Sequence, residues 1–115
     1  MSTLNLVVIR SPDIDRSAGF YSALGLELVK HRHGNGPEHY ACKEGGFVFE
    51  IYPETAKSGA ATGARLGFSV DNVDLVVERI AAEGYAVVSP PADSEWGRRA
   101  VVRDPDGHKI ELTQG

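Results

Sequence analysis

A chain of 115 residues, 42% hydrophobic and 24% charged, has the composition of one globular domain rather than of a disordered segment. Its formal net charge of −4 excludes nucleic acid as the main partner, because a phosphate-binding domain needs a basic face. The one cysteine, Cys42, cannot form an internal disulfide, and its apolar and polar neighbours predict a half-buried structural thiol.

The first ten residues do not resemble a targeting segment. They have no basic region followed by an apolar stretch, so we expect no signal peptide. Every apolar run is far shorter than a membrane span, so we also expect no membrane association. Together with the lone thiol, these features predict a cytoplasmic protein.

The first half of the sequence predicts a strand, a helix and three further strands. Ser11-Pro12-Asp13 suits a helix start, and Gly25 suits a helix end, where the backbone turns left-handed. Gly34-Asn35-Gly36 and Glu44-Gly45-Gly46 are typical of hairpin turns. The predicted strands run from Leu4 to Ile9, Glu27 to Arg32, Glu38 to Lys43 and Phe47 to Pro53.

The second half repeats this plan after a predicted linker over residues 54–63, which is poor in large apolar side chains. Asp71-Asn72 suits a helix start, and Gly84 suits its end. Asp104-Pro105-Asp106-Gly107 predicts a tight turn. The predicted strands run from Arg65 to Val70, Ala86 to Ser89, Arg99 to Arg103 and Lys109 to Thr113.

The repeat predicts an α+β fold of two βαβββ modules, residues 1–53 and 64–115, within a single domain of residues 1–115. Each module offers a sheet with a helix on one face, and similar units bury apolar faces against each other. We expect the modules to form a curved mixed sheet around a concave cavity for a small molecule.

Strand alternation places two glutamates on the cavity side. Glu50 and Glu111 each lie between two apolar residues that take the helix side. A single carboxylate in such a place most often only covers the solvent face of a sheet. Because the two occupy matching strands of a repeat, they favour a shared site, as general base or as metal ligands.

Two segments resemble a known superfamily. Residues Asp13 to Tyr21 (DIDRSAGFY), followed by Leu24-Gly25-Leu26, resemble the first module of the vicinal oxygen chelate superfamily, and Asp104 to Leu112 (DPDGHKIEL) resembles the signature hairpin of its second module. That superfamily includes glyoxalase I, bleomycin resistance proteins, extradiol dioxygenases and methylmalonyl-CoA epimerase. The resemblance covers nearly the whole chain and implies a glyoxalase/bleomycin-resistance-like fold and a homodimer.

The resemblance also implies where a metal would lie. Metal-using members supply four ligands, and the matching positions here are Leu6, Glu50, Arg65 and Glu111. Leu6 has no donor atom and Arg65 stays protonated, so we expect no cofactor and no metal; Glu50 and Glu111 are ligands only if a metal is bound. Arg65 could replace the metal charge by pairing with the carboxylates, and a plain salt bridge is an equally good interpretation.

Five further side chains are candidates for contact with a ligand. Trp96 and Arg98 on a loop suit a ligand with aromatic or anionic parts, although Trp96 could equally pack at the core edge. Tyr40 and Tyr52 are candidates for the cavity wall. Lys109 shares the cavity side by strand alternation.

The histidines carry no clear metal pattern. His31 and His33 alternate onto one strand face, and with His39 they could reach one ion, but no acidic residue accompanies them in that run. We therefore predict that they are exposed at strand ends. His108 is predicted to belong to the turn before the last strand.

Three functions remain open at this point. The first is a binding protein that sequesters a small organic ligand without a metal, as bleomycin-resistance-like members do, which would make it an antibiotic-resistance protein. The second is a lyase or isomerase of glyoxalase or epimerase type that uses Glu50 or Glu111 as base, with or without a divalent metal. The third is an accessory subunit with no ligand of its own. Turnover separates the first two.

Overall fold

The computed structural model describes residues 1, 3–58 and 63–115. The chain forms two compact units, Met1–Ala61 and Thr62–Gly115, and each contains one strand–helix–three-strand module. Of the predicted linker 54–63, residues 59–62 lie outside the described residues. The single-domain organisation with those module boundaries stays a prediction.

The first unit is a four-stranded sheet with one helix. β1 (Leu6–Ser11) pairs in parallel with β4 (Phe47–Pro53). β3 (His39–Glu44) pairs antiparallel with β4 on one side and with β2 (Val29–His31) on the other. The sheet order is therefore β1-β4-β3-β2, and α1 (Ile14–Ala23) connects β1 to β2.

The second unit repeats this topology. Its sheet has the order β5-β8-β7-β6, with β5 and β8 parallel and the other pairs antiparallel. The predicted α+β fold of two βαβββ modules is confirmed. The elements are β5 (Arg65–Val70), α2 (Val73–Ala82), β6 (Ala86–Ser94), β7 (Gly97–Arg103) and β8 (Lys109–Gln114).

Both helices begin and end as the sequence predicts. The Asp13 carboxylate accepts a hydrogen bond from the backbone N–H of Arg16, and the Asn72 side-chain oxygen accepts one from Leu75, each at 3.0 Å. These bonds satisfy donors that a helix start leaves without partners. Gly25 and Gly84 follow the two helices with φ of 104° and 88°, a conformation that favours glycine.

β6 is longer than the sequence predicts, because it continues from Ser89 to Ser94 through Pro90 and Pro91. Proline lacks the N–H that a central strand would donate, but β6 lies at the edge of its sheet. The pairing with β7 shifts register between Val87 and Ser89 and again between Ser89 and Ala92, which accommodates the prolines.

The core of each unit lies between its helix and one face of its sheet. In the first unit the Tyr21 ring lies 4.9 Å from the Phe49 ring, and Ile51 is fully buried. In the second unit Ile110 and Leu112 are fully buried on the corresponding strand, together with residues of α2. Because side chains alternate along a strand, the residues between them point to the opposite face, here called the open face of each unit.

His108 is buried, not simply a turn residue. Its side chain is 1% exposed, and its Nδ1 lies 2.7 Å from a carboxylate oxygen of Asp104, which is itself fully buried. The other oxygen of Asp104 accepts from the backbone N–H groups of Asp106 and His108, each at 2.9 Å. Asp104 therefore closes the β7–β8 turn with three hydrogen bonds, which the sequence pattern of the turn alone does not reveal.

We predict that Asp104→Ala destabilises the protein by at least about 2 kcal/mol, because it leaves buried donors without an acceptor. Urea unfolding measures the change. Asp71→Ala, which removes an exposed carboxylate next to the α2 cap, is the matched control and should change the free energy of unfolding by less than about 0.5 kcal/mol. Equal midpoints for the two variants would contradict this role of Asp104.

Candidate functional site

The two glutamates predicted for the cavity lie on the open faces of their units. Glu50 lies between buried Phe49 and Ile51 on β4, and Glu111 lies in the corresponding place on β8. Each strand pairs with the first strand of its own unit, where Val8 is opposite Glu50 and Gly67 is opposite Glu111. The two carboxylates thus occupy equivalent positions of the repeat.

Two arginines hold the carboxylate of Glu111. Nε of Arg99 donates to Oε1 at 2.6 Å, and Nε of Arg65 donates to Oε2 at 3.3 Å. The hydrogen bond from Arg99, and to a smaller extent its charge and the contact with Arg65, lower the pKa of Glu111 below its ordinary value. Glu111 is therefore a stable anion that orients two guanidinium groups.

Further cations share this open face. Strand register puts Arg65 beside Lys109 and Lys109 beside Arg103, while alternation along β7 puts Arg99 on the same side. Four cationic side chains thus accompany Glu111. Like charges directly opposite each other on neighbouring strands repel, so this face favours an anion.

A groove of about 430 Å³ lies on the same face. It is lined by Trp96, Arg99, Glu111, Thr113 and Gln114. Trp96 lies in the turn between β6 and β7 and is 70% exposed, so its ring is open to a ligand. The groove combines a flat aromatic surface with guanidinium donors, which is the chemistry that recognises aromatic anions.

The structure separates the other predicted ligand residues. Lys109 and Tyr52 are on open faces, whereas Arg98 and Tyr40 are on the helix sides of their sheets. Arg98 donates two hydrogen bonds to Asp74 of α2, at 2.8 and 3.0 Å. The hydroxyl of Tyr40 donates to Asp15 of α1 at 2.6 Å.

Arg99 is the site residue that sequence reasoning missed. The sequence contains the information needed to place Arg99. Ala100 and Val102 are apolar and belong to the helix side, so strand alternation puts Arg99 and Val101 on the open face. The predicted strand begins at Arg99 itself, which places Arg98 on the loop beside Trp96 as the candidate for ligand contact. In the structure β7 already begins at Gly97, so both arginines lie on the strand and point to opposite faces.

The prediction that the histidines are exposed at strand ends is wrong for His39, which is 1% exposed. Its ring stacks on Tyr52 with 4.2 Å between centroids, and the rings of His31 and His33 lie 5.9 and 5.1 Å away. Within residues 1, 3–58 and 63–115, no group of three His, Cys, Asp or Glu side chains is placed to hold a metal ion.

Comparison with known proteins identifies the family. The family model for the Glyoxalase/Bleomycin resistance protein/Dioxygenase superfamily matches residues 3–112. The chain belongs to this superfamily. A match of this extent covers both modules, so it establishes the fold family and leaves the substrate open.

Relatives with names of enzymes lie at about 30% identity. The chain is 31% identical to a probable chloroplastic lactoylglutathione lyase of Arabidopsis thaliana over 94% of its length, but it spans only 34% of that protein. It is 33% identical to a lactoylglutathione lyase of Salmonella typhimurium, covering 93% of this chain and 88% of that one. This chain is also similar to the crystal structure of a glyoxalase-related enzyme from Fulvimarina pelagi, with a TM-score of 0.77 and 23% identity. The match covers 100% of this chain and 89% of that chain. At this identity the similarity shows the fold alone.

The residues at the superfamily's metal positions do not fit a divalent cation. Leu6 has no donor atom, and Arg65 brings a positive charge that is bonded to Glu111. A metal at Glu111 would have to displace two guanidinium groups, including the 2.6 Å contact with Arg99. The described residues also include no helix long and apolar enough to cross a membrane.

We predict that Arg99→Met raises the pKa of Glu111 toward its ordinary value, because it removes the largest cause of the lowering. Arg65→Met should raise it less, and Arg98→Met, which removes an equal charge on the other face, should leave it unchanged. NMR titration of the Glu111 side-chain carboxyl carbon measures all three.

The lowered pKa of Glu111 also determines how the free energy of unfolding changes with pH. A carboxylate with a lowered pKa stabilises the folded state above its unfolded pKa, and this contribution disappears as the pH falls through the folded value. The acid side of the stability profile should therefore flatten in Arg99→Met. An unchanged Glu111 titration in that variant would contradict the role given to Arg99.

Proposed function

We propose that this protein binds a small organic anion with a flat apolar part on the open face of its second unit, without a metal. The observation that carries the proposal is the arrangement of Arg99 and Arg65 on Glu111. Each arginine uses Nε for this contact, so its terminal Nη groups are not needed there and can donate to a ligand. Glu111 acts as the anchor that fixes the direction of both guanidinium groups.

The surroundings support an anion rather than another ligand class. Arg103 and Lys109 add positive charge, and Trp96 offers a ring for the flat part of the ligand. A groove of about 430 Å³ is in the range of small-molecule sites. Arg99 takes the role that the sequence suggested for Arg98.

Sequestration is the activity that fits this chemistry. A protein that holds its ligand without changing it needs no catalytic base, and Glu111 is already occupied by two cations. Bleomycin-resistance-like members of the superfamily work in this way, so protection from an organic toxin is the role we propose. The homodimer and the cytoplasmic location predicted from the sequence belong to this proposal.

A lyase is the second candidate, because several relatives are named lactoylglutathione lyase. In that case Glu50 is the better base, since it is not held by an arginine in the way that Glu111 is. Incubation with glutathione and 2-oxopropanal, with chromatographic detection of S-lactoylglutathione, decides between the two. We expect no formation above the uncatalysed rate, and protein-dependent turnover would overturn sequestration.

Binding can be tested with 4-nitrobenzoate and its neutral analogue 4-nitrobenzamide. Because Trp96 is the one tryptophan, its indole N–H gives a single NMR signal that reports on the groove. We expect 4-nitrobenzoate to shift this signal, with calorimetric binding at least about tenfold tighter than that of the amide, as for a charge-assisted hydrogen bond.

Two variants make the test specific. Arg99→Met should weaken 4-nitrobenzoate binding at least about tenfold, whereas Arg98→Met, with the same loss of charge, should leave it within about twofold. Equal affinity for acid and amide, or equal losses in the two variants, would show that the second unit does not recognise an anion through Arg99.

A further inference from the structure

His39 and Glu50 on the open face of the first unit form a pair that the proposed anion binding does not use. Nε2 of His39 lies 3.6 Å from a carboxylate oxygen of Glu50, and the two side chains are 2% and 18% exposed. His39 occupies the position in the first unit that Arg99 occupies in the second. Ala41 is paired with Glu50 and Val101 with Glu111, and His39 and Arg99 each lie two residues before the paired residue. The same scaffold position therefore carries a histidine in one unit and an arginine in the other.

The hydrogen bonding of His39 assigns a proton to Nδ1. Nδ1 lies 3.3 Å from the carbonyl oxygen of Pro37, and a carbonyl only accepts, so Nδ1–H is the donor. In the ring that carries this single proton, Nε2 presents a lone pair. It is buried, and no hydrogen-bond partner reaches it within the part of the chain that the structure describes. At 3.6 Å the Glu50 oxygen is also too far for a direct hydrogen bond.

With this tautomer, two acceptors face one small space. A cavity of about 140 Å³ is lined by Glu50, Ala41, Lys43 and the three histidines His31, His33 and His39. A buried acceptor without a donor costs free energy that a ligand donor would recover. The negative charge of Glu50 and the imidazole rings around it favour a donor that is positively charged.

The adjoining groove indicates the rest of the ligand. A groove of about 270 Å³ adjoins the cavity, and His31, Ala41 and Lys43 line both. The groove extends over Val29, which is 56% exposed. Lys43 is itself exposed, so its charge is screened by solvent. An apolar group can cover Val29 while the cationic group enters the smaller cavity.

We propose that His39 and Glu50 form a second ligand site, which binds the ammonium group of a small amine with an apolar substituent. One N–H of the ammonium donates to Nε2 of His39 and another to the carboxylate of Glu50. This site lies within the first unit and does not depend on the anion site of the second.

The test uses benzylammonium, with benzyl alcohol as the neutral probe of the same shape. Long-range ¹⁵N NMR of the histidine rings first establishes whether Nε2 of His39 is the unprotonated nitrogen at neutral pH. Benzylammonium should then shift the His39 ring signals and bind at least tenfold tighter than the alcohol in calorimetry. A proton on Nε2 in the free protein, or equal binding of the two probes, would overturn the proposal.

Glu50→Gln removes the charge and preserves the shape of the side chain. We expect it to weaken benzylammonium binding at least tenfold and to leave 4-nitrobenzoate binding unchanged. Glu38→Gln is the matched control, because Glu38 is an exposed carboxylate beside Lys30 and Arg32 near the same hairpin. Urea midpoints verify that both variants fold, and unchanged benzylammonium affinity in folded Glu50→Gln would refute the site.

Discussion

The contact of Glu111 with Arg99 and Arg65 determines the chemistry of the second unit. A carboxylate that accepts from two guanidinium groups has a lowered pKa and is therefore a weaker base, and a metal ion would have to compete with both arginines for it. The contact also joins three neighbouring strands, β5, β8 and β7, across the open face. Both arginines are therefore oriented by contacts across neighbouring strands of one sheet.

The repeat shows how one scaffold supports two different faces. In both units a glutamate lies at the centre of the open face with a basic residue on the neighbouring strand. Where that residue is Arg99, the pair is a permanent ion pair on a cationic face. Where it is His39, Nδ1 lies 3.3 Å from the carbonyl oxygen of Pro37, and Nε2 lies 3.6 Å from a carboxylate oxygen of Glu50. The two faces also differ where Arg65 and Lys109 of the second unit correspond to Leu6 and Val48 of the first.

Most of the fold follows from local sequence signals. The helix caps Asp13 and Asn72, the glycines that follow the helices, and strand alternation around Glu50 and Glu111 each depend on interactions within a few residues. Such interactions can be read directly from the sequence.

The burial of His39 and His108 could not be read in this way, because it depends on partners that only the fold brings together. His39 is covered by Tyr52 from another strand, and the environment of His108 depends on the closed turn. The selection of Arg98 rather than Arg99 as the ligand residue is wrong for a different reason. It depends on where β7 begins, and the predicted start is two residues later than the observed one. The ends of strands and helices are the least certain part of a sequence-based prediction.

The metal content of untagged protein, purified without chelator and then titrated with Ni, Zn, Mn and Fe, tests the central claim most directly. If Arg99 and Arg65 occupy Glu111, the purified protein contains far less than one ion per chain, and no titration saturates at Glu111. Close to one ion per chain, released by Glu111→Gln, would mean that the carboxylate is a metal ligand after all and that the arginines are displaced from it.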